Sequence, residues 1–458
     1  VGGMARGKMH LWLSLLIVTI IITAGCNAND KHRTGDNPAA EDKLGSGVEA
    51  DSSVPEGGIT LRMMESLTNP QRTEILKSLI ARFKQENPTI HVELVSPPFD
   101  QADATIETML ATKQDLDVVE VREINVADYV NKRYLEPLDA YTATWQDYPT
   151  VQQIPLTVGS VNGKLYFLAN GLYERQLYYR KDWFEKVDIS PPSTWEELYE
   201  AAVKLTDPAH NQYGFAFRGA KGSNGTFDGM IRTYNAQAMN LSDGAFLTSG
   251  ATIYSTPEAE EALTLYKKLY QNASPQESVY WGFDEQVKSF TSGQTAMLLQ
   301  DPDVIQTLES SMKPGTWATA PMPKGPSGKS LITVGAAGWG IPSASDHKAA
   351  AWKLIAFLSR PDNNTTFGKE YGLVPIHTTA AADPFFTTGP YKTLIDMTND
   401  PDTYLYYQTP IKYPGNNDWS RISTASEQEM LLGKVTVHQT LANWNAYWKE
   451  QQRVMQGK

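Results

Sequence analysis

Only one of the 458 residues is cysteine, Cys26. The chain beyond it can form no disulfide within itself and offers no thiol nucleophile. The seven histidines are scattered, with no HExxH motif and no close pair, so nothing supports a zinc site. No Gly-x-Ser-x-Gly elbow is found. Gly328-Lys329-Ser330 ends like a phosphate loop, but Pro323 stands where the leading glycine belongs and no strand-loop-helix context surrounds it. No cofactor is expected. Basic residues are the minority, 40 Lys and Arg against 52 Asp and Glu, for a formal charge of −12. That balance argues against nucleic acid or a polybasic membrane contact as partner.

Long apolar runs are equally scarce. The one present, Leu11 to Ala24, follows Arg6 and Lys8 and ends in Thr23-Ala24-Gly25-Cys26. It falls short of the ~20 residues a spanning helix needs. Its charged start, short apolar middle and small-residue end read as a secretory signal, residues 1–25. The pattern resembles a bacterial lipobox, which would make Cys26 the lipidated first residue of the mature protein. Thr23 departs from that motif, which usually carries an aliphatic residue there. Residues 26–58 are polar and punctuated by Gly, Pro and Ser, as expected of a disordered tether.

From Ile59 onward about 400 residues remain, too many for one ordinary core, so two lobes are expected. Ile59, Leu61 and Met63 alternate as in a strand. Asn69-Pro70 then opens a helix whose Ile75, Leu76, Leu79, Ile80 and Phe83 share a face, closed by Asn87-Pro88. Ile90 to Leu94, a helix near 101–113 and an apolar strand from Asp117 to Val121 complete a β-α-β-α-β unit with a largely parallel sheet. Ligands of such sheets gather at the carboxyl ends of the strands. Glu65 to Thr68, Pro97 to Asp100 and Arg122 to Asn125 are the loops in that position. Asn162-Gly163 suits a tight hairpin turn, and Ser193-Thr194 before an acidic turn signals another helix start. Further helices are expected over 257–270, 283–291, 347–358 and 437–456.

The order of motifs resembles the family 1 solute-binding proteins of ABC importers, the maltodextrin-binding-like group. The residues that carry the resemblance include Phe83 to Val92, Asp117-Val118-Val119, Leu135 to Asp139, Asn162 to Tyr166, Tyr178 to Asp182, Pro192 to Leu198, Phe290 to Met297, Gly338 to Pro342 and Ala350 to Trp352. It implies an α/β periplasmic-binding-protein-like fold of two doubly wound α/β lobes, joined by crossing hinge strands around a ligand cleft. By analogy the crossings lie near Leu168 to Tyr173 and Gly315 to Pro321. Residues 59–170 plus 316–360 would form the first lobe, and 171–315 plus 361–458 the second.

The implied function is capture of a carbohydrate, an oligosaccharide or disaccharide, by lobe closure and its delivery to an importer permease. The expected protein is not an enzyme. It is a monomer held to the outer face of the bacterial cytoplasmic membrane only through Cys26. A sugar presents hydroxyls in the ring plane and apolar faces above and below it, so its site calls for carboxylates, amides or Arg together with aromatic platforms. The 22 tyrosines and 11 tryptophans suit such a site. Candidate contacts are Trp339 between two glycines, the pair Tyr280-Trp281, Glu65 after the first strand, and Arg122 and Glu123 after the third. Tyr173 and Arg175 past the first crossing, Asp228, Asp301, Phe99 and Trp419 complete the set. Alternatives are a binder of another polar solute such as a glycerophosphate, a secreted glycoside hydrolase built on paired carboxylates, or a receptor that feeds a sensor kinase.

Overall fold

The computed structural model describes residues 58–457. The signal segment, Cys26 and the tether up to residue 57 lie outside them. No described helix is long and apolar enough to cross a membrane.

Three strands, β1 (Ile59–Met64), β2 (Ile90–Val95) and β3 (Val118–Arg122), start the first sheet. All run parallel, with β1 in the middle. The helix Pro70–Glu86 between the first two begins where the sequence places it. The Asn69 side chain accepts the Arg72 backbone N–H at 2.9 Å, and Ile75, Leu76, Leu79 and Phe83 are buried against the sheet. A short hairpin of β4 (Ser160–Val161) and β5 (Lys164–Leu165) follows. Its turn residues Asn162 and Gly163 have φ of 52° and 76°, the left-handed geometry a two-residue turn requires.

The chain next runs through β6 (Leu168–Glu174) in the first sheet and, one residue later, enters β7 (Gln176–Tyr179) in a second. Arg175 is the crossing point, just past the expected stretch. In the second sheet β7 is flanked by β8 (Met297–Gln300) and β9 (Ala318–Ala320), both antiparallel to it. β10 (Ser330–Ile332) precedes β11 (Val334–Gly340), which returns to the first sheet between β3 and β6. β12 (Tyr404–Tyr406) pairs in parallel with β10. The return therefore occupies 321–333, later than Gly315 to Pro321, because β9 is still hydrogen-bonded to β7.

Residues 361–377, expected on the second lobe, stay on the first. Asn364 donates to the Asn170 carbonyl at 2.9 Å and accepts the Ile376 N–H at 2.9 Å, while the His377 ring is 2.7 Å from the Thr150 hydroxyl. Turn and cap signals mark where helices begin but not which sheet they cover. The glycine- and asparagine-containing stretch from Gly219 to Gly229 includes the start of a helix, Asn224–Tyr234, whose Phe227, Met230, Ile231 and Tyr234 enter the second core. Its apolar spacing outweighs the local cost of glycine. The presumed loop after β3 is helical as well, from Glu123 to Asn131.

Candidate ligand-binding cleft

A cavity of about 430 Å³ lies between the lobes. The first lobe contributes Thr157, Ser160 and Glu123, the start of β11 contributes Thr333 and Val334, and the second lobe contributes Leu241 and Ser242. Tyr406, Tyr407 and Gln408 form the wall that joins them.

Glu123 is placed by the change from strand to helix: β3 ends at Arg122 and the helix begins at the next residue. Its carboxylate accepts the Ala336 backbone N–H of β11 at 3.1 Å. Burial pushes its pKa up, opposed by Arg122 and that N–H and reinforced by Asp301. The Arg122 guanidinium turns to Asp103 at 2.7 Å.

The tyrosine wall is fixed from behind. Tyr406 donates its hydroxyl to Glu174 at 2.9 Å. Glu174 is buried at the end of β6, and burial pushes its pKa up to about 7, against the hydrogen bonds from Tyr406 and Thr398. Tyr407 accepts from Arg232 at 3.2 Å, and that guanidinium also stands 4.7 Å from the ring centre. Backbone bonds between Gln408 and both Leu241 and Gly244, at 2.8 and 2.9 Å, fasten this segment to the second lobe. With both hydroxyls bound to protein, the two tyrosines offer the cavity mainly ring surface. Hydroxyls, one amide and one carboxylate complete the wall. Apolar faces with a few convergent polar groups are what a polyhydroxylated solute needs.

Beside the cavity, Arg175 lies 3.5 Å from Asp301 and 3.4 Å from the Thr226 hydroxyl. A Cβ at residue 225 would meet that guanidinium at 2.6 Å, so a side chain there would displace Arg175. Asp303 is pushed up to about 7 by burial and by Asp301. Arg218 is held down at about 10 by burial and by Arg175.

The structure gathers Glu123, Tyr173, Arg175 and Asp301 around the crossing, with Gly335 of β11 paired to Tyr173. Phe99 does not line the cavity and makes a contact between the lobes instead, with Lys221 of the second lobe 5.4 Å from its ring centre. Tyr280, 65% exposed, and the half-buried Trp281 are on the second lobe and do not line the cavity. The other candidates sit one layer deeper. Glu65 is fully buried, bound by Arg72 at 3.2 Å and the Thr73 hydroxyl at 2.5 Å. Trp339 is buried in β11, 5.9 Å from the same guanidinium. Asp228 accepts from Trp419 Nε1 and the Tyr254 hydroxyl, both at 2.7 Å, inside the second lobe. The expectation that these four face the cleft is corrected: each is taken up by a protein partner. Tyr406, Tyr407, Gln408 and Thr333 were not among the candidates. The run Tyr404-Leu405-Tyr406-Tyr407 was their one visible signal.

Two lobes around such a cavity define a solute binder. The family model of the bacterial extracellular solute-binding proteins matches residues 69–365, and the chain belongs to that family, one of binding proteins and not of enzymes. A binding protein of Brucella abortus is 27% identical over 339 residues, 71% of this chain and 78% of that one. The mannitol-binding protein of Pseudomonas aeruginosa is 27% identical over 220 residues, 47% of this chain and 49% of that one. Among solved structures, maltose-bound MalE3 of T. maritima superposes with a TM-score of 0.74 at 23% identity, covering 87% of this chain and 100% of that one.

Proposed function

We propose that this protein captures a sugar or polyol of monosaccharide to disaccharide size in the interlobe cavity and hands it to the permease of an ABC importer. The observation that carries the reading is the cavity: about 430 Å³, walled by both lobes, with tyrosine rings, hydroxyls and one carboxylate. The volume falls in the usual range for small-ligand sites. Contacts from both lobes make closure and binding one event, because a ligand touching both favours the shut form. Relatives that bind mannitol and maltose fit the same chemistry. The protein acts as a monomer, and Cys26 would carry the lipid that keeps it near its permease at the outer face of the cytoplasmic membrane. Of the candidate contacts, Glu123 is the one assigned to the solute directly.

Titration with a panel of hexoses, disaccharides and hexitols, read by tryptophan fluorescence and by melting temperature, tests the assignment. A ligand at a hundred times its Kd raises stability by ~2.7 kcal/mol. A panel in which no member moves either signal removes the carbohydrate reading. Labelling with a radioactive fatty acid, compared with a Cys26→Ser variant, tests the anchor separately.

A further inference from the structure

The cavity wall holds one charged side chain, the Glu123 carboxylate, and no Lys, Arg or His. The cations nearby are committed elsewhere. Arg122 is turned to Asp103 at 2.7 Å and Arg175 faces Asp301 at 3.5 Å. Lys412 pairs with Asp243 at 2.9 Å, and Arg232 stands behind Tyr407 with Asp228 at 4.0 Å. Arg218 donates to the Lys221 carbonyl at 2.8 Å and lies over Phe283. Among the described residues no cationic side chain hydrogen-bonds Glu123, whose partner is the neutral Ala336 N–H. Arg122 favours the charged form of Glu123 but is itself paired with Asp103, so three carboxylates, Glu123, Asp103 and Asp301, stand against two guanidiniums, Arg122 and Arg175, and the balance beside the cavity is negative in a partly desolvated space, where charge–charge interactions are several times stronger than in water.

We propose that Glu123 sets the charge selectivity of the site, admitting neutral polyhydroxylated solutes and cationic amino sugars while excluding uronates, sugar phosphates and glycerophosphates. The proposal rests on the solute-binding reading above and narrows its substrate class. An anionic group brought close to Glu123 meets like-charge repulsion that Arg122, already paired with Asp103, offsets only in part, whereas an ammonium gains a charge-assisted hydrogen bond.

Matched probes test it by calorimetry at low and high salt: glucose with glucosamine and glucuronate, maltose with maltobionate, and mannitol with mannitol 1-phosphate. For whichever neutral member binds, its acidic partner should bind roughly a hundredfold more weakly. In Glu123→Gln that ratio should shrink to less than tenfold. Wild-type protein that takes the acidic member within threefold of the neutral one overturns the charge filter and leaves the solute-binding reading standing. So does a ratio that Glu123→Gln leaves unchanged. If no probe binds at all, both readings fall. The wild-type ratio is informative even if the variant does not fold.

Discussion

The Lys221 ammonium lies 3.6 Å from the Asp100 carboxylate and 5.4 Å from the centre of the Phe99 ring, joining the second lobe to the first. Both charged side chains are largely exposed, at 76% and 85%. A pair of that kind contributes only about 0.2–1 kcal/mol and is screened by salt. The contact is thus a weak latch, able to bias closure without competing with a ligand. Lys221→Ala should weaken binding of the identified sugar less than about fivefold at low ionic strength, and the difference should vanish near 0.5 M salt. A tenfold loss that persists in high salt would mean that Lys221 touches the solute itself.

Glu174 and Tyr406 couple the hinge to the cavity wall. Removing the hydroxyl in Tyr406→Phe keeps the ring but leaves the buried Glu174 carboxyl with Thr398 and without one of its two donors, at a cost of about 1–3 kcal/mol. Stability should fall by that amount, with a smaller loss of affinity because ring surface is retained. Tyr406→Ala should lose the affinity as well. Urea melts and calorimetry on the two variants separate these effects, and equal affinity losses in both would contradict the assignment of the ring to the solute.

Much of the fold was legible because local chemistry agreed with it. The alternation in Ile59–Met64, the Asn69 cap and the Asn162-Gly163 turn each need only near neighbours in sequence. Glu123 lines the cavity from the place the sequence marks for it, the end of a parallel strand. Glu65 occupies the equivalent place after β1, yet it is taken up by Arg72, a partner one helical turn into the next element. Trp339 looked open between two glycines. Instead those glycines let β6 and β3 close over it: a Cβ at residue 338 would meet the Leu168 carbonyl oxygen at 2.2 Å. Tyr406 and Tyr407 escaped notice because a three-residue strand has no measurable period, and their role depends on Glu174 and Arg232, both more than 170 residues away.

Arg72 organises the interior of the first lobe. It is fully buried and reaches both Glu65 and Glu120, while Asn170 donates to Glu120 at 2.6 Å. Burial works against its charge, but Glu120 and its other neighbours outweigh that and hold the guanidinium ionised. Arg72→Met should destabilise the protein by about 3–5 kcal/mol, because it strands two buried carboxylates. Adding Glu65→Gln should recover part of the loss, since one of those charges then disappears. Thermal melts of the single and double variants give the coupling; strictly additive losses would show that the network is not one unit.

Glu427 supplies a pH test. Its carboxyl is fully buried in the second lobe, bound by Ser223 and by the Tyr266 hydroxyl at 2.5 Å, and burial pushes its pKa up to about 8. In the unfolded chain the same carboxyl titrates near its ordinary value of 4.5. Between those two values the folded protein holds a proton that the unfolded chain has released. Stability must therefore decrease as pH rises through that window, by up to ~1.4 kcal/mol per pH unit for one group. Glu174 and Asp303, both pushed up to about 7, act with the same sign over the lower part of the range. Wild-type protein should consequently be more stable to urea at pH 5.5 than at pH 8.5. Glu427→Gln keeps the shape and the capacity to accept hydrogen bonds but does not titrate, so its stability should decline less steeply across the whole interval from pH 5.5 to about 8, and between pH 7 and 8 most of the remaining wild-type decline should be due to Glu427. Identical slopes in the two proteins would place the ionisation of Glu427 outside this range and leave the pH dependence to the pair nearer the cleft.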